Sequence, residues 1–204
     1  MSASNPISPQ AAGVPQGASA PQAPMFNHPR LQELIKKASA VPGVGAIVLQ
    51  TIYDLVHPQD RILVCYYQFE ATVPKTPNEA VNNYYSCEVT LVTSAYFINI
   101  TIFPKAHTYR KKKIHTVGEV SVKYDPPSME EIKGVQVGKF VPNNLTMTVI
   151  LHDDKSNVVD TWQTETSHPE AVRNLLESAR MLNKCIGYPL GQIAQQAAAA
   201  QAQA

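Results

Sequence analysis

A train of short alternating segments closed by one amphipathic helix constrains this chain more than any other feature. Strand-like runs fall at about 61–73, 84–93, 96–103, 114–124, 133–140, 145–152 and 157–165. In the first of them Leu63, Cys65, Tyr67, Phe69, Ala71 and Val73 share one parity, while Gln68, Glu70 and Thr72 take the other. Side chains on a strand point to opposite faces in turn, so this parity predicts a strand buried on one face. Ile98, Ile100 and Ile102 repeat the pattern against Asn99 and Thr101, as do Val120 and Val122 against Glu119 and Ser121. Strands are not interleaved with helices, which argues against a parallel α/β sheet. Evenly spaced short strands favour an antiparallel sandwich or a partly open barrel.

The helix that closes the train covers about 168–183, with Val172, Leu175, Leu176, Ala179 and Leu182 on one stripe. Ser167 and Glu170 have capping-box spacing, and Pro169 suits the first turn. Upstream, Leu31, Leu34, Ile35 and Ala38 predict a helix over 28–40, with Asn27 as its N-cap. Val41-Pro42-Gly43 breaks it. A second helical stretch, about 45–56, stops before His57-Pro58, because a residue preceding proline avoids the helical region.

These signals divide the chain into four parts. Residues 1–26 are expected to be a disordered tail, since 1–25 hold five prolines and no charged side chain. Residues 27–57 form a helical segment, 58–186 a β domain with its capping helix, and 187–204 a tail rich in Ala and Gln. Alanine favours helix in that last tail, although nothing in its pattern requires packing.

A formal net charge of +1 over 204 residues offers no global field for nucleic acid, so electrostatic binding would have to come from a local patch. One such patch exists. Arg110, Lys111, Lys112 and Lys113 are consecutive, and Lys105, His107 and His115 are near them. On the polar connection expected at 104–113, Lys105 and Arg110–Lys113 would suit an anionic lipid headgroup or an acidic partner. A run of charge is also what keeps a loop or sheet edge solvated. Phe97 and Phe103 have the parity opposite to the isoleucines. They are expected to pack beneath the N-terminal helix rather than to stack bases.

The chain is expected to be non-catalytic and to need no cofactor. His152-Asp153-Asp154 reads as a hairpin turn, where Asp is favoured for its local hydrogen bonds, rather than as a metal site. Gly43-Val44-Gly45 lacks the lysine and third glycine of a phosphate loop and follows a helix. Trp162, in the last strand, is expected in the core. With Tyr66, Tyr84 or Tyr85 it could instead line a ligand pocket. Cys65 and Cys87 share their strands' apolar parity and read as buried thiols, with a cross-hairpin disulfide as the alternative. No secretory signal is evident at the N-terminus, so the cytoplasm is the expected location.

Three phrases carry a resemblance. The sequence LQTIYDLVHPQDRILVCY looks like the helix and acidic turn that open bacterial pleckstrin-homology-like domains. CEVTLVTSAYFINITIF is similar to their second strand, turn and third strand. NLTMTVILHDDKSNVVDTWQTETSHPEAVRNLLESARML looks like their last hairpin and closing helix. The resemblance spans 49–183. It implies seven antiparallel strands in two near-orthogonal sheets, with a C-terminal helix over one open corner. The family often binds phosphoinositides through a loop between its first two strands. Here that loop, 74–83, holds only Lys75, so that site does not carry over. The basic segment 104–115 and the extra N-terminal helix also depart from the pattern. The functional expectation is a scaffolding module inside the cell that engages a protein partner. Peripheral attachment to an anionic membrane surface, a small-ligand barrel or enzyme with a pocket near Trp162, and self-association remain open.

Overall fold

The computed structural model describes residues 28–72, 85–125, 133 and 141–202. Within them the chain is mainly β, with seven strands in two antiparallel sheets and four helices. Strands β1 (Ile62–Ala71), β2 (Tyr85–Thr93), β3 (Tyr96–Phe103) and β4 (Ala106–Lys113) form one sheet in that order. Strands β5 (Thr116–Tyr124), β6 (Leu145–His152) and β7 (Val158–Thr166) form the other. Helices α1 (Pro29–Ser39) and α2 (Val44–Leu55) precede the strands, and α3 (Pro169–Lys184) and α4 (Leu190–Ala202) follow them. The two sheets do not share a strand, so the described residues form a sandwich rather than a closed barrel.

Two expected elements differ. Segment 106–113, read from sequence as a polar connection, is strand β4. It pairs with β3 across a two-residue turn, Phe103 opposite Ala106 and Ile98 opposite Lys111. The strand expected at 133–140 lies outside the described residues, apart from Lys133. Asn27, the tail before it, the loop with Lys75, and Tyr84 lie outside them as well.

The four-stranded sheet is the middle layer; the central parts of β1, β2 and β3 are buried on both faces, and β4 is exposed along most of its length. On one face Leu31 and Leu34 of α1 and Val48 and Ile52 of α2 pack over Cys65, Val89, Ile98 and Ile100. On the other, Val64, Tyr66, Val92 and Phe97 meet β6, Trp162 and α3. This explains why Leu63 through Tyr67 are all buried, whereas a strand with one wet face would alternate. Phe97 is therefore core, as expected of packing, but it packs toward the second sheet and not beneath the N-terminal helices. The three-stranded sheet buries one face only, so β6 alternates cleanly, with Leu145, Met147, Val149 and Leu151 inward.

Helix α1 starts at Pro29, whose fixed φ and missing N–H suit the first helical position. The chain reverses at Gly43, where φ is +79° in the left-handed region that a side chain disfavours. Helices α1 and α2 then cross closely at Gly45, where an added Cβ would sit 2.4 Å from Ser39 Oγ and 2.8 Å from Ser39 Cα. Helix α3 starts one residue later than its sequence signal suggests. His168 is the N-cap, and no side chain caps the helix. Glu170 is thereby released from the expected capping box and pairs with Lys37 of α1. Val172, Leu175 and Leu182 of α3 are fully buried in the opening between the sheets, each contributing about 1.5–3 kcal/mol. Beyond α3, Gly187 N–H bonds the Val117 carbonyl at 3.0 Å, and Leu190 N–H the His115 carbonyl at 2.9 Å. Leu190 and Ala194 of α4 join the same core.

Candidate functional site

Strand β4 is an outer strand, and its sequence AHTYRKKK holds four cations and no carboxylate. Residues directly opposite one another in a sheet project to the same face. His107, Tyr109, Lys111 and Lys113, opposite Ile102, Ile100, Ile98 and Tyr96, therefore share the face that α1 and α2 cover. Thr108, Arg110 and Lys112 project toward the three-stranded sheet with Phe97.

The structure engages three of the five expected binding cations. Lys111 Nζ donates to the Leu55 carbonyl at 2.7 Å and lies 4.2 Å from the Tyr96 ring centre. That carbonyl belongs to the last residue of α2, where the helix dipole favours a cation. Lys112 Nζ donates to the Val159 carbonyl at 3.0 Å and sits 3.7 Å from Asp160 Oδ2. Arg110 pairs with the same carboxylate at 3.2 Å, its guanidinium 5.7 Å from the Phe97 ring centre. Asp160 is only 9% exposed, so this contact is a partly dehydrated clamp between β4 and β7. Lys105 and Lys113 remain exposed, as do Phe103, His107 and Tyr109. Tyr109 is 65% exposed. The basic run is thus half brace and half surface. Sequence reasoning saw its charge and missed its strand geometry. The signal was available in Phe103-Pro104-Lys105-Ala106, a turn-sized gap between two runs with β-forming residues.

Trp162 is 4% exposed. It stacks at a tilt against Tyr66 at 5.9 Å and Phe97 at 6.0 Å between ring centres. It is core, as expected, and it separates the two sheets.

A cleft crosses the outer edge of β1 between α1 and α3. The Arg30–Glu177 pair, at 2.5 Å, and the Lys37–Glu170 pair bridge it. Beneath lies a cavity of about 230 Å³ lined by His28, Arg30, Cys65, Asn174, Ser178 and Met181, among others. Buried Asn174 Oδ1 and His28 Nδ1 have no hydrogen-bond partner there. Burial lowers the pKa of the His28 imidazole, against a bond to the Leu63 carbonyl that raises it and a smaller depressing effect of Arg30. Burial thus favours the neutral ring, which bonds the Leu63 carbonyl of β1. Burial pushes the hydroxyl of Tyr67, whose ring lies beneath Lys37, up to about 12.

Asp153 closes the β6–β7 turn. Its carboxylate accepts the N–H groups of Lys155 at 2.9 Å and Asn157 at 2.8 Å, and the Asn157 side chain at 3.0 Å. Those bonds hold its carboxyl below the usual range. Asp153 and Asp154 thus lie in the turn their composition suggests, while His152 ends β6. Cys65 lies opposite Leu91, and Cys87 opposite Phe69, four positions apart along the ladder. That separation, about 13 Å, is beyond disulfide reach, and both thiols are free and buried. Among the described residues, no helix is long and apolar enough to cross a membrane. No family model matches the chain, and neither a curated protein nor a solved structure does.

Proposed function

We propose that the chain is a non-catalytic, intracellular binding module of pleckstrin-homology-like type that engages a protein partner through the β3–β4 hairpin. The observation carrying this reading is the pairing of an outer strand with the exposed ring of Tyr109. An outer strand offers a row of backbone donors and acceptors, and an exposed aromatic side chain supplies contact area at low entropic cost. The four-plus-three arrangement of strands, with α3 in the opening between the sheets, supports the pleckstrin-homology-like reading.

Magnitudes favour this reading over the alternatives. Peripheral attachment would draw about 1 kcal/mol from each basic residue near an anionic surface. Arg110, Lys111 and Lys112 already have partners within the fold, which leaves Lys105 and Lys113. Two such charges give weak, salt-sensitive attachment. A small-ligand pocket at Trp162 would require opening its contacts with Tyr66 and Phe97. The cleft cavity, about 230 Å³, lies below the usual range for drug-sized ligands, roughly 300–1,000 Å³.

The test is site-specific photo-crosslinking in the producing cell, with the reactive group at position 109 or at position 188, where Tyr188 is comparably exposed. A discrete protein adduct from 109 alone is the expected result. Equal labelling from both positions, or none from 109, would overturn the reading.

A further inference from the structure

We infer that the outer edge of β4 accepts an acidic, extended segment of a partner protein as an added strand. This rests on the partner-binding reading above and names the chemistry of the partner. In an antiparallel pair, successive residues alternate in turning N–H and C=O toward the neighbouring strand. Every second residue of β4 therefore directs both groups away from β3. Among the described residues, none of the backbone bonds outside the regular elements involves 106–113, apart from those at its flank beyond Lys113. The edge is also braced. Lys111 is bonded to α2 and Lys112 to β7, so β4 is held before any partner arrives, and less ordering entropy is lost on docking.

Charge selects the occupant. β4 carries four cations and no carboxylate; only Arg110 and Lys112 meet one, Asp160, and Lys105 adds a further cation at the hairpin tip. A second copy of the chain docked edge to edge would set cation against cation, which is unfavourable directly across a ladder. Opposite charges across a ladder are favourable. The clamp to β7 occupies the Arg110–Lys112 end, so the added strand runs along the end nearer the turn. There Lys105, His107 and Tyr109 share one parity, so the carboxylates of the added strand lie on that face beside Lys105, and its apolar side chains lie on the other, beside Ala106 and Thr108. Such an occupant alternates acidic and apolar residues. Neutral, hydrophobic strands, which drive aggregation, gain nothing from the same cations.

The probe is a fluorescent decapeptide of alternating glutamate and valine, titrated with the full chain at low and physiological salt. Its comparator carries an N-methyl group on every residue, which removes the backbone donors of both edges and leaves charge unchanged. Lys105→Glu/His107→Glu alters two exposed residues, and vesicles containing phosphatidylserine form a separate arm. The inference expects saturable binding, weakened about tenfold or more both by N-methylation and by the double substitution. Equal binding of the parent and methylated peptides would mean charge attraction alone and would overturn strand addition. No peptide binding, with the crosslink from position 109 intact, would overturn the acidic-strand inference and leave the partner reading standing. Loss of both would end both. Vesicle binding that needs Lys105 and His107, without peptide binding, would assign the edge to a membrane and overturn the inference.

Discussion

The Lys112 ammonium bonds the Val159 carbonyl at 3.0 Å, and this contact ties the last strand of one sheet to the last strand of the other. Arg110 and Asp160 complete the join. The opposite opening of the sandwich is filled by apolar residues of α3. One corner is thus held by charge and the other by packing, and the two should respond differently to substitution.

Asp160→Asn keeps an acceptor for the Thr161 N–H, bonded at 2.9 Å, and removes only the charge. Arg110 is about half exposed and Lys112 more than a third, so solvent screens both partners. The expected loss is about 1–2 kcal/mol, read as a lower urea midpoint with an unchanged m-value. Lys105→Ala should shift the midpoint by less than about 0.5 kcal/mol. A larger effect at Lys105 than at Asp160 would contradict the clamp.

Burial holds the pKa of the His28 imidazole below 6.5, its ordinary value. The unfolded chain therefore takes up this proton more readily than the folded one, and the neutral ring favours the fold. Its contribution is fully present above pH 6.5 and is lost as pH falls from there toward the folded pKa. Stability measured by urea denaturation should decline across that window, and the slope should be shallower in His28→Gln. Identical slopes would remove His28 from the account.

The three thiols should be silent in the native state. Burial raises the pKa of all three, that of Cys87 to about 12, so little thiolate exists near pH 8. A disulfide-exchange reagent should titrate none of the three in buffer and all three in denaturant. Prompt native labelling of Cys65 or Cys87 would show that the middle sheet opens.

Gly45→Ala should destabilise despite the higher helix propensity of alanine, worth about 1 kcal/mol. The new methyl group would meet Ser39 Cα at 2.8 Å as well as Oγ at 2.4 Å, so α1 and α2 must separate. A net loss of about 1–2 kcal/mol is expected once overpacking is set against propensity. Adding Ser39→Ala should restore only part of it, because the backbone contact remains. Full rescue would place the whole clash on the hydroxyl.

The outline of the fold was legible where a strand has one wet face. The β6 residues Leu145, Met147, Val149 and Leu151 alternate in sequence and in burial alike. It was less legible in β1, where Val64 and Tyr66 are as buried as Cys65 and Tyr67. The run from Ile62 to Tyr67 carries apolar residues at both parities, which signals burial on both faces. Attention to one parity alone hid the middle-layer role. β4 was illegible by hydrophobic pattern because it is wet along most of its length. Its lysines enter the structure through their long stems and terminal charges, which periodicity does not register. The capping of α3 shows a third limit. Ser167 and Glu170 have the right spacing, but Glu170 finds Lys37, more than a hundred residues away in sequence. Local patterns cannot anticipate such a competitor.

Among the described residues every strand pairing joins neighbours in the chain: β1 with β2, β2 with β3, β3 with β4, β5 with β6, and β6 with β7. Both sheets are simple meanders, and the loops that must close to form them are short relative to the whole. Low contact order of this kind favours rapid, independent zipping of each meander. The contacts that unite them span far more sequence, as in Arg30 with Glu177, 147 residues apart. Closure of the helical termini over β1 should therefore be the late, slow event in folding, and the first to reverse in unfolding.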